Sequence, residues 1–254
     1  MVRNRCLTYL LLLGGVFLIA CSGNDRTKDI RAYYFPLDDL KEGLVYEYQP
    51  LNNDSLTPIY WYYRSHRIED STYLTGTYYE FDLIPFQIIT EELLPKGMWL
   101  NKLFIYETDS LGKQEQIEAE VLAGTSFPFE VRDSGGIFLY KVSWTAPSNP
   151  FATTTLIKNR RYVGETTYSI NGEEYPCVVF EVKELFELDD KKEGYFEQAF
   201  NGVEVYAKNI GLVYYRKGID DAVMLEYGLR DRYEMSVLEA KFKEQLESAN
   251  PKIQ

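Results

Sequence analysis

The chain has 254 residues, 45% of them hydrophobic, and a formal net charge of −12 at pH 7. A chain of this length can bury a core large enough to fold without disulfides or a metal. A strongly negative chain is repelled by phosphate backbones, so the composition argues against nucleic acid as a partner.

The first twenty residues have the features of a signal peptide. Arg3 and Arg5 precede an apolar run of 14 residues from Leu7 to Ala20. A transmembrane helix needs about 20 residues, whereas a shorter apolar run after a positive start is typical of a secretory signal. Residues 1–20 contain these two arginines and no carboxylate, so their removal shifts the net charge from −12 to −14.

The segment Leu18-Ile19-Ala20-Cys21 resembles the lipobox of bacterial lipoproteins. The resemblance implies that Cys21 becomes the first residue of the mature protein and carries a diacylglycerol and an amide-linked acyl chain. Several acyl chains together give stable anchoring where one would be marginal. The predicted partner is therefore a membrane, reached through the lipid on Cys21. Residues 21–31 are polar and predict a lipidated tether.

The anchor predicts a place in the cell envelope, at the outer membrane, facing either the periplasm or the surface. Cysteine use agrees with export. Cys6 lies in the predicted signal and Cys21 takes the lipid, so Cys177 has no partner for an internal disulfide. Cys177 lies in an apolar strand-like segment, where we expect a small core residue and not a reactive thiol.

From about residue 33 to residue 227 the sequence predicts antiparallel β-structure. Ile117, Ala119 and Val121 alternate with polar residues, which is the period-two pattern of a half-buried strand. Asn171-Gly172 predicts a two-residue hairpin turn, because both residues tolerate positive φ. Asn201-Gly202 is a second candidate turn. Hairpins in sequence without helices between them imply an antiparallel sheet.

One helix is predicted at the end of the chain. Its apolar residues are spaced by three and four, as on one face of a helix, at Met235, Leu238, Phe242 and Leu246. We expect this amphipathic helix to pack on the sheet and to cover part of its concave face.

Two segments resemble parts of exported lipoproteins of the Bacteroidota type whose function is unknown. Leu40–Tyr48 is similar to their first strand, with the pattern G-x-x-W/Y-x-Y. Val205–Tyr215 is similar to a segment near their ends, with Tyr206 where tryptophan is more usual. The resemblance implies a sheet curled into a half-barrel with a hydrophobic concave side, like that of periplasmic lipoprotein carriers.

The predicted fold class is mainly β, a curved antiparallel sheet or half-barrel with a C-terminal amphipathic helix. Residues 32–254 are predicted to form this single domain.

The sequence contains no motif that predicts catalysis or metal binding, and we expect no cofactor. His66 is the single histidine of the chain, so any catalytic triad would depend on it. Carboxylates cluster at Glu184, Glu187, Asp189 and Asp190. Such a cluster could serve a hydrolase or calcium, but it lacks the spacing of a calcium loop and is more typical of a solvated hairpin tip.

The 22 tyrosines are the unusual feature of the composition. Tyrosine suits strands because its ring covers a pleated surface while its hydroxyl reaches water, so no function is needed to explain it. The functional alternative is a concave aromatic face that binds a ligand. From strand alternation, the candidate ligand-binding residues are Trp61, Tyr63 and Trp144, beside a groove for an apolar or sugar-like ligand.

Three functions remain open from the sequence. The first is a non-catalytic envelope lipoprotein that binds an apolar or envelope-derived ligand, or serves as an accessory subunit of an envelope complex with a protein partner. The second is a carboxylate-dependent hydrolase. The third is a structural interaction protein without a pocket.

Overall fold

The computed structural model describes residues 27–53, 55–79, 83–108, 112–133, 135–219 and 223–249. The predicted signal peptide and the predicted lipidation site at Cys21 lie outside these residues. The described elements are β1 Thr27–Asp29, a 3-10 helix Arg31–Tyr33, β2 Leu44–Pro50, β3 Ile59–Ile68, β4 Ser71–Tyr79, β5 Pro85–Leu94, β6 Gly97–Thr108, β7 Gln114–Pro128, β8 Glu130–Arg132, β9 Ile137–Trp144, β10 Ala152–Ile170, β11 Glu173–Asp190, β12 Gly194–Ala207, β13 Gly211–Gly218, β14 Met224–Tyr233 and α1 Met235–Ala249.

Twelve of these strands form a closed antiparallel barrel, in the order β2-β3-β4-β5-β6-β7-β9-β10-β11-β12-β13-β14 and back to β2. The predicted mainly β fold with a C-terminal helix is confirmed, but the half-barrel is wrong. The sheet closes because β14 pairs with β2, with Leu229 opposite Tyr48 and Tyr233 opposite Val45. Closure gives both edge strands a hydrogen-bonding partner.

One of the two predicted tight turns is confirmed. Asn171 and Gly172 join β10 to β11 with φ values of 52° and 88°, the left-handed region that a type I′ turn requires. The turn predicted at Asn201-Gly202 is wrong, because both residues lie inside β12. A Cβ on Gly202 would lie 2.3 Å from the backbone oxygen of Arg216, so this glycine permits a close approach of two strands.

The fold begins earlier in the chain than the sequence predicted. β1 pairs with β8, and the backbone N–H of Ile30, a fully buried residue, donates to Phe129 O at 2.8 Å. Residues 27–31, which were predicted to belong to the tether, are therefore part of the folded domain. The polar side chains of this segment concealed its strand, since a three-residue strand has too few positions to show alternation.

Residues 30–40 form a plug across one end of the barrel. Phe35 is buried, and its ring centroid lies 5.5 Å from that of Tyr46 and 4.2 Å from that of Tyr63. The backbone N–H of Asn209 donates to Ala32 O at 2.7 Å. The plug thus contacts strands from different parts of the barrel wall and fills this end of the interior.

Helix α1 packs on the outside of the barrel. Leu238 and Phe242 are buried against Val45 and Tyr60, whose side chains point outward from β2 and β3. Packing on the sheet is as predicted, but the expected cover of the concave face is wrong, because the helix meets the outer face, and Leu246 is exposed. Among the residues that the structure describes, no helix is long and apolar enough to cross a membrane.

Candidate functional site

The interior of the barrel beyond the plug contains a cavity of about 1100 Å³. Its lining includes Pro85 at the start of β5, Thr108 at the end of β6 and Gln114 at the start of β7. These strand ends lie opposite the plugged end and form the mouth of the cavity. The Gln114 amide donates to Pro85 O at 2.8 Å, which ties two mouth strands together.

One side of the cavity is an aromatic wall, formed by Trp61, Tyr63 and Tyr78 of β3 and β4. The Trp61 ring stacks on that of Tyr63 with a centroid distance of 5.6 Å and an interplanar angle of 7°. It also stacks on Tyr78 at 5.3 Å and 27°. Side chains alternate across a strand, so Tyr60 and Tyr62 point outward, toward α1.

All three ligand-binding candidates from the sequence line this cavity. Trp61 and Tyr63 lie side by side, but Trp144 is on β9 and packs in a separate apolar cluster with Leu156. Tyr63 is only 6% exposed and rests on Phe35 of the plug, so it is the part of the aromatic wall at the plugged end of the cavity. Ligand binding by these residues stays a prediction.

A second side of the cavity is an ionic wall, formed by Lys158, Arg160, Glu184, Glu204 and Lys217. Glu204 is its centre. Its carboxylate accepts hydrogen bonds from Arg160 Nε at 2.6 Å, Lys158 Nζ at 2.6 Å and the Tyr206 hydroxyl at 2.8 Å.

The other members of the ionic wall complete a chain of ion pairs. Lys158 Nζ also lies 2.9 Å from Glu184 Oε1, and Lys217 pairs with the other oxygen of Glu184. Arg160 Nη1 donates to Ser126 O at 2.9 Å. Lys158 therefore joins the two carboxylates into one network.

The network keeps its carboxylates ionised. Burial alone would raise the pKa of Glu184, but Lys158 and Lys217 outweigh it and lower the pKa to about 2. Burial acts on Glu204 in the same direction, and Arg160 with Lys158 hold its pKa well below the usual range. At neutral pH both side chains are acceptors of hydrogen bonds from cations.

This arrangement does not favour a hydrolase based on Glu184 and Glu204. A carboxyl that acts as a general acid needs a raised pKa, and theirs are lowered. Both carboxylates are also occupied by cationic side chains. Burial and ion pairing here build a wall of fixed charge, which suits the recognition of a ligand.

The predicted carboxylate cluster at residues 184–190 does not converge. Glu184 points into the cavity, whereas Asp190 accepts the backbone N–H of Lys192 at 2.8 Å, and Glu187 accepts the Tyr195 hydroxyl at 3.0 Å. The predicted hairpin tip is misplaced, because β11 continues to Asp190. Within the described part of the chain, no group of three or more His, Cys, Asp or Glu side chains could hold a metal ion.

His66 and Cys177 are absent from the described lining of the cavity. The His66 ring stacks on Tyr73 with a centroid distance of 5.6 Å. Cys177 is buried, as predicted, with its Sγ 3.3 Å from Tyr175 O. Burial raises the pKa of its thiol to about 11, which makes it unreactive at neutral pH.

The ionic wall was not predicted from the sequence. Its signal is present but weak: Lys158, Arg160 and the aromatic Tyr162 occupy alternate positions of β10 and so share one face. Charged residues in alternation ordinarily indicate the solvent face of a strand, which concealed their inward direction.

No protein-family model and no curated protein matches the chain. Three solved structures are similar to it. A predicted lipoprotein from Parabacteroides distasonis ATCC 8503 shares 12% identity with a TM-score of 0.48, over 79% of this chain and 98% of that one. A predicted exported protein with a YmcC-like fold from Bacteroides fragilis NCTC 9343 shares 13% identity with a TM-score of 0.35, over 79% and 99%. The hypothetical lipoprotein YmcC from Escherichia coli K12 shares 10% identity with a TM-score of 0.31, over 77% and 88%.

These three proteins are described as lipoproteins or as exported, which is the kind of protein that the sequence motifs resemble. Similarity at this level identifies no ligand, no partner and no site residue.

Proposed function

We propose that this protein is a non-catalytic, lipid-anchored envelope protein that binds an apolar or amphiphilic molecule of the envelope inside its barrel. The observation that carries the proposal is the cavity of about 1100 Å³ with a mouth opposite the plug. Protein interiors are normally close-packed, and sites for small molecules reach roughly this volume. A filled barrel would instead have favoured a purely structural protein.

The lining favours an apolar ligand over a sugar. Trp61 stacks on two neighbouring rings, which leaves less of its face for a sugar. The adjacent strands add the aliphatic side chains of Ile89, Leu103 and Ile105. Burying apolar ligand surface against such a wall is favourable by roughly 25 cal/mol per Å². A protein partner in the envelope stays a prediction.

The tryptophans provide a test of the proposed function. Trp61 and Trp144 line the cavity, whereas Trp99 is outside the described lining and 41% exposed. Adding envelope lipid extract to the purified protein should change the tryptophan emission. Trp61→Phe and Trp144→Phe should each reduce this change, and Trp99→Phe should preserve it.

An unchanged emission, or a change that persists in the double variant Trp61→Phe/Trp144→Phe, would rule out binding beside these residues. A response to envelope glycans but not to lipids would replace the apolar ligand by a sugar.

The proposed anchor also orients the barrel. Cys21 is six residues before Thr27, where β1 begins, and six residues span at most about 20 Å. β1 leads directly into the plug, so a lipid on Cys21 holds the plugged end near the membrane. The mouth then faces away from the outer membrane, where a ligand can reach it.

Cys21→Ala is expected to remove lipidation, and with it membrane attachment, because the acyl chains supply the anchor. Metabolic labelling with palmitate followed by fractionation measures both effects. Cys177→Ala is the matched control, since Cys177 is buried in the barrel, and it should keep the label. A Cys21→Ala variant that still carries palmitate would refute the assignment.

A further inference from the structure

The ionic wall and the aromatic wall lie on opposite sides of the cavity. The ionic wall belongs to β10, β11, β12 and β13, and the aromatic wall to β3 and β4. In the barrel order, β14 and β2 separate the two walls on one side, and β5, β6, β7 and β9 on the other. A ligand in the cavity therefore meets charge on one side and apolar surface on the other.

The ionic wall carries one more positive than negative charge, since three cations face two carboxylates. Lys217 is the member most accessible from the cavity. Its side chain is 32% exposed, compared with 16% for Lys158 and 10% for Arg160. The excess positive charge is thus available at Lys217, while the other two cations are enclosed by their partners.

The position and geometry of Lys217 suit contact with a ligand. It lies one residue before the end of β13 at the mouth, whereas Gly211, at the start of β13, contacts the plug. An ammonium group has three N–H donors. Glu184 accepts one of them, and the Phe200 ring centroid lies 4.2 Å from Nζ. Two donors remain for an acceptor that enters through the mouth.

The other carboxylates of the lining have different partners. Glu91 accepts the hydroxyl of Tyr34 in the plug at 2.6 Å. Glu107, on β6, accepts the Ser148 hydroxyl at 3.2 Å. Among the described residues, the ion-pair partner of Lys217 is Glu184.

We propose that the ligand is an anionic amphiphile whose carboxylate or phosphate group binds Lys217 while its apolar part lies against the aromatic wall. This inference rests on the proposed function and specifies its ligand class. A charge-assisted hydrogen bond in a partly desolvated site is stronger than a neutral one. An anion also completes the charge balance of the ionic wall.

Four probes that share one chain length separate the head group from the tail: laurate, dodecyl phosphate, 1-dodecanol and dodecyltrimethylammonium. Affinities are measured by calorimetry on the chain from residue 22 onward, which contains every described element. We expect at least one anion to bind about tenfold more tightly than the alcohol or better, and the cation to bind most weakly.

Lys217→Met should remove the preference for the anion and leave the affinity for the alcohol nearly unchanged. Lys183→Met is the matched control, because Lys183 is exposed on the same stretch of sheet, and it makes the same change in net charge. The control should keep the preference.

Equal affinity of the native chain for the anions and the alcohol would overturn the inference and leave the proposed function standing. A preference for the anion that persists in a folded Lys217→Met variant would also overturn it. Binding of none of the four probes would overturn the proposed function itself. The comparison of head groups on the native chain tests the preference for an anion even if the Lys217→Met variant fails to fold.

Discussion

Glu204→Gln is expected to lower the free energy of unfolding by about 3–5 kcal/mol, because it removes one partner from a buried ion cluster. The substitution keeps the shape of the side chain but leaves Arg160 and Lys158 with a neutral acceptor in place of a carboxylate 2.6 Å away. The amide has one acceptor oxygen where the carboxylate has two, and it carries no charge, while Arg160 keeps the Ser126 carbonyl as a second acceptor. Chemical denaturation monitored by tryptophan fluorescence gives the difference.

Glu181→Gln is the matched control. Glu181, on β11, also pairs with an arginine of β10, Arg161, but it does so on the outside of the barrel, where its side chain is 48% exposed. Exposed pairs contribute about 0–1 kcal/mol. If both substitutions cost the same small amount, water reaches the ionic wall freely and the cavity is not a low-dielectric site.

Phe35→Ala is expected to destabilise the barrel by about 3–5 kcal/mol, the usual cost of truncating a buried aromatic residue. The Phe35 ring packs between Tyr46 and Tyr63. It also fits against Gly211, where an added Cβ would lie 2.5 Å from the ring. The lost stability is measured as a lower denaturation midpoint, with an unchanged dependence of the free energy of unfolding on denaturant concentration.

Phe196→Ala provides the comparison for the plug. Phe196 is 52% exposed on β12, and surface substitutions usually change stability by no more than about 0.5 kcal/mol. A Phe35→Ala variant as stable as Phe196→Ala would mean that residues 30–40 do not hold the end of the barrel. Other residues would then have to close this end of the cavity.

Local features of this fold could be predicted from the sequence. The hairpin at Asn171-Gly172 was predicted because the requirement for positive φ falls on two adjacent residues. Strand β7 was predicted from the alternation of Ile117, Ala119 and Val121, and the buried position of Cys177 from its apolar neighbours. Each of these depends on interactions between residues that are close in the chain.

Barrel closure could not be predicted in this way. It depends on pairs such as Leu229 with Tyr48, which are far apart in the sequence. No local sequence pattern indicates that the last strand, β14, pairs with β2. The packing of the helix on the outer face could not be predicted for the same reason. The spacing of Leu238 and Phe242 defines an apolar face of the helix but does not indicate which face of the sheet this helix face contacts.

The lining of the cavity could be predicted in part, whereas ligand binding by its residues stays a prediction. Trp61 and Trp144 line the cavity. Their inward direction could be predicted because successive side chains of a strand point to opposite faces of the sheet. The ionic wall was missed because alternation cannot distinguish a charged interior from a solvated surface. Only the burial of Glu204, on β12, against two cations of β10 separates these cases.

Native mass spectrometry of the protein after incubation with its own envelope lipid extract tests the central claim most directly. The account predicts a complex with one lipid molecule of defined mass, acidic in character, and its loss when the cavity is filled by Leu103→Trp, with the exposed Leu122→Trp as the control that keeps it. Uncomplexed native protein at saturating extract, or a complex of equal abundance in the folded Leu103→Trp variant, would contradict a ligand in the barrel.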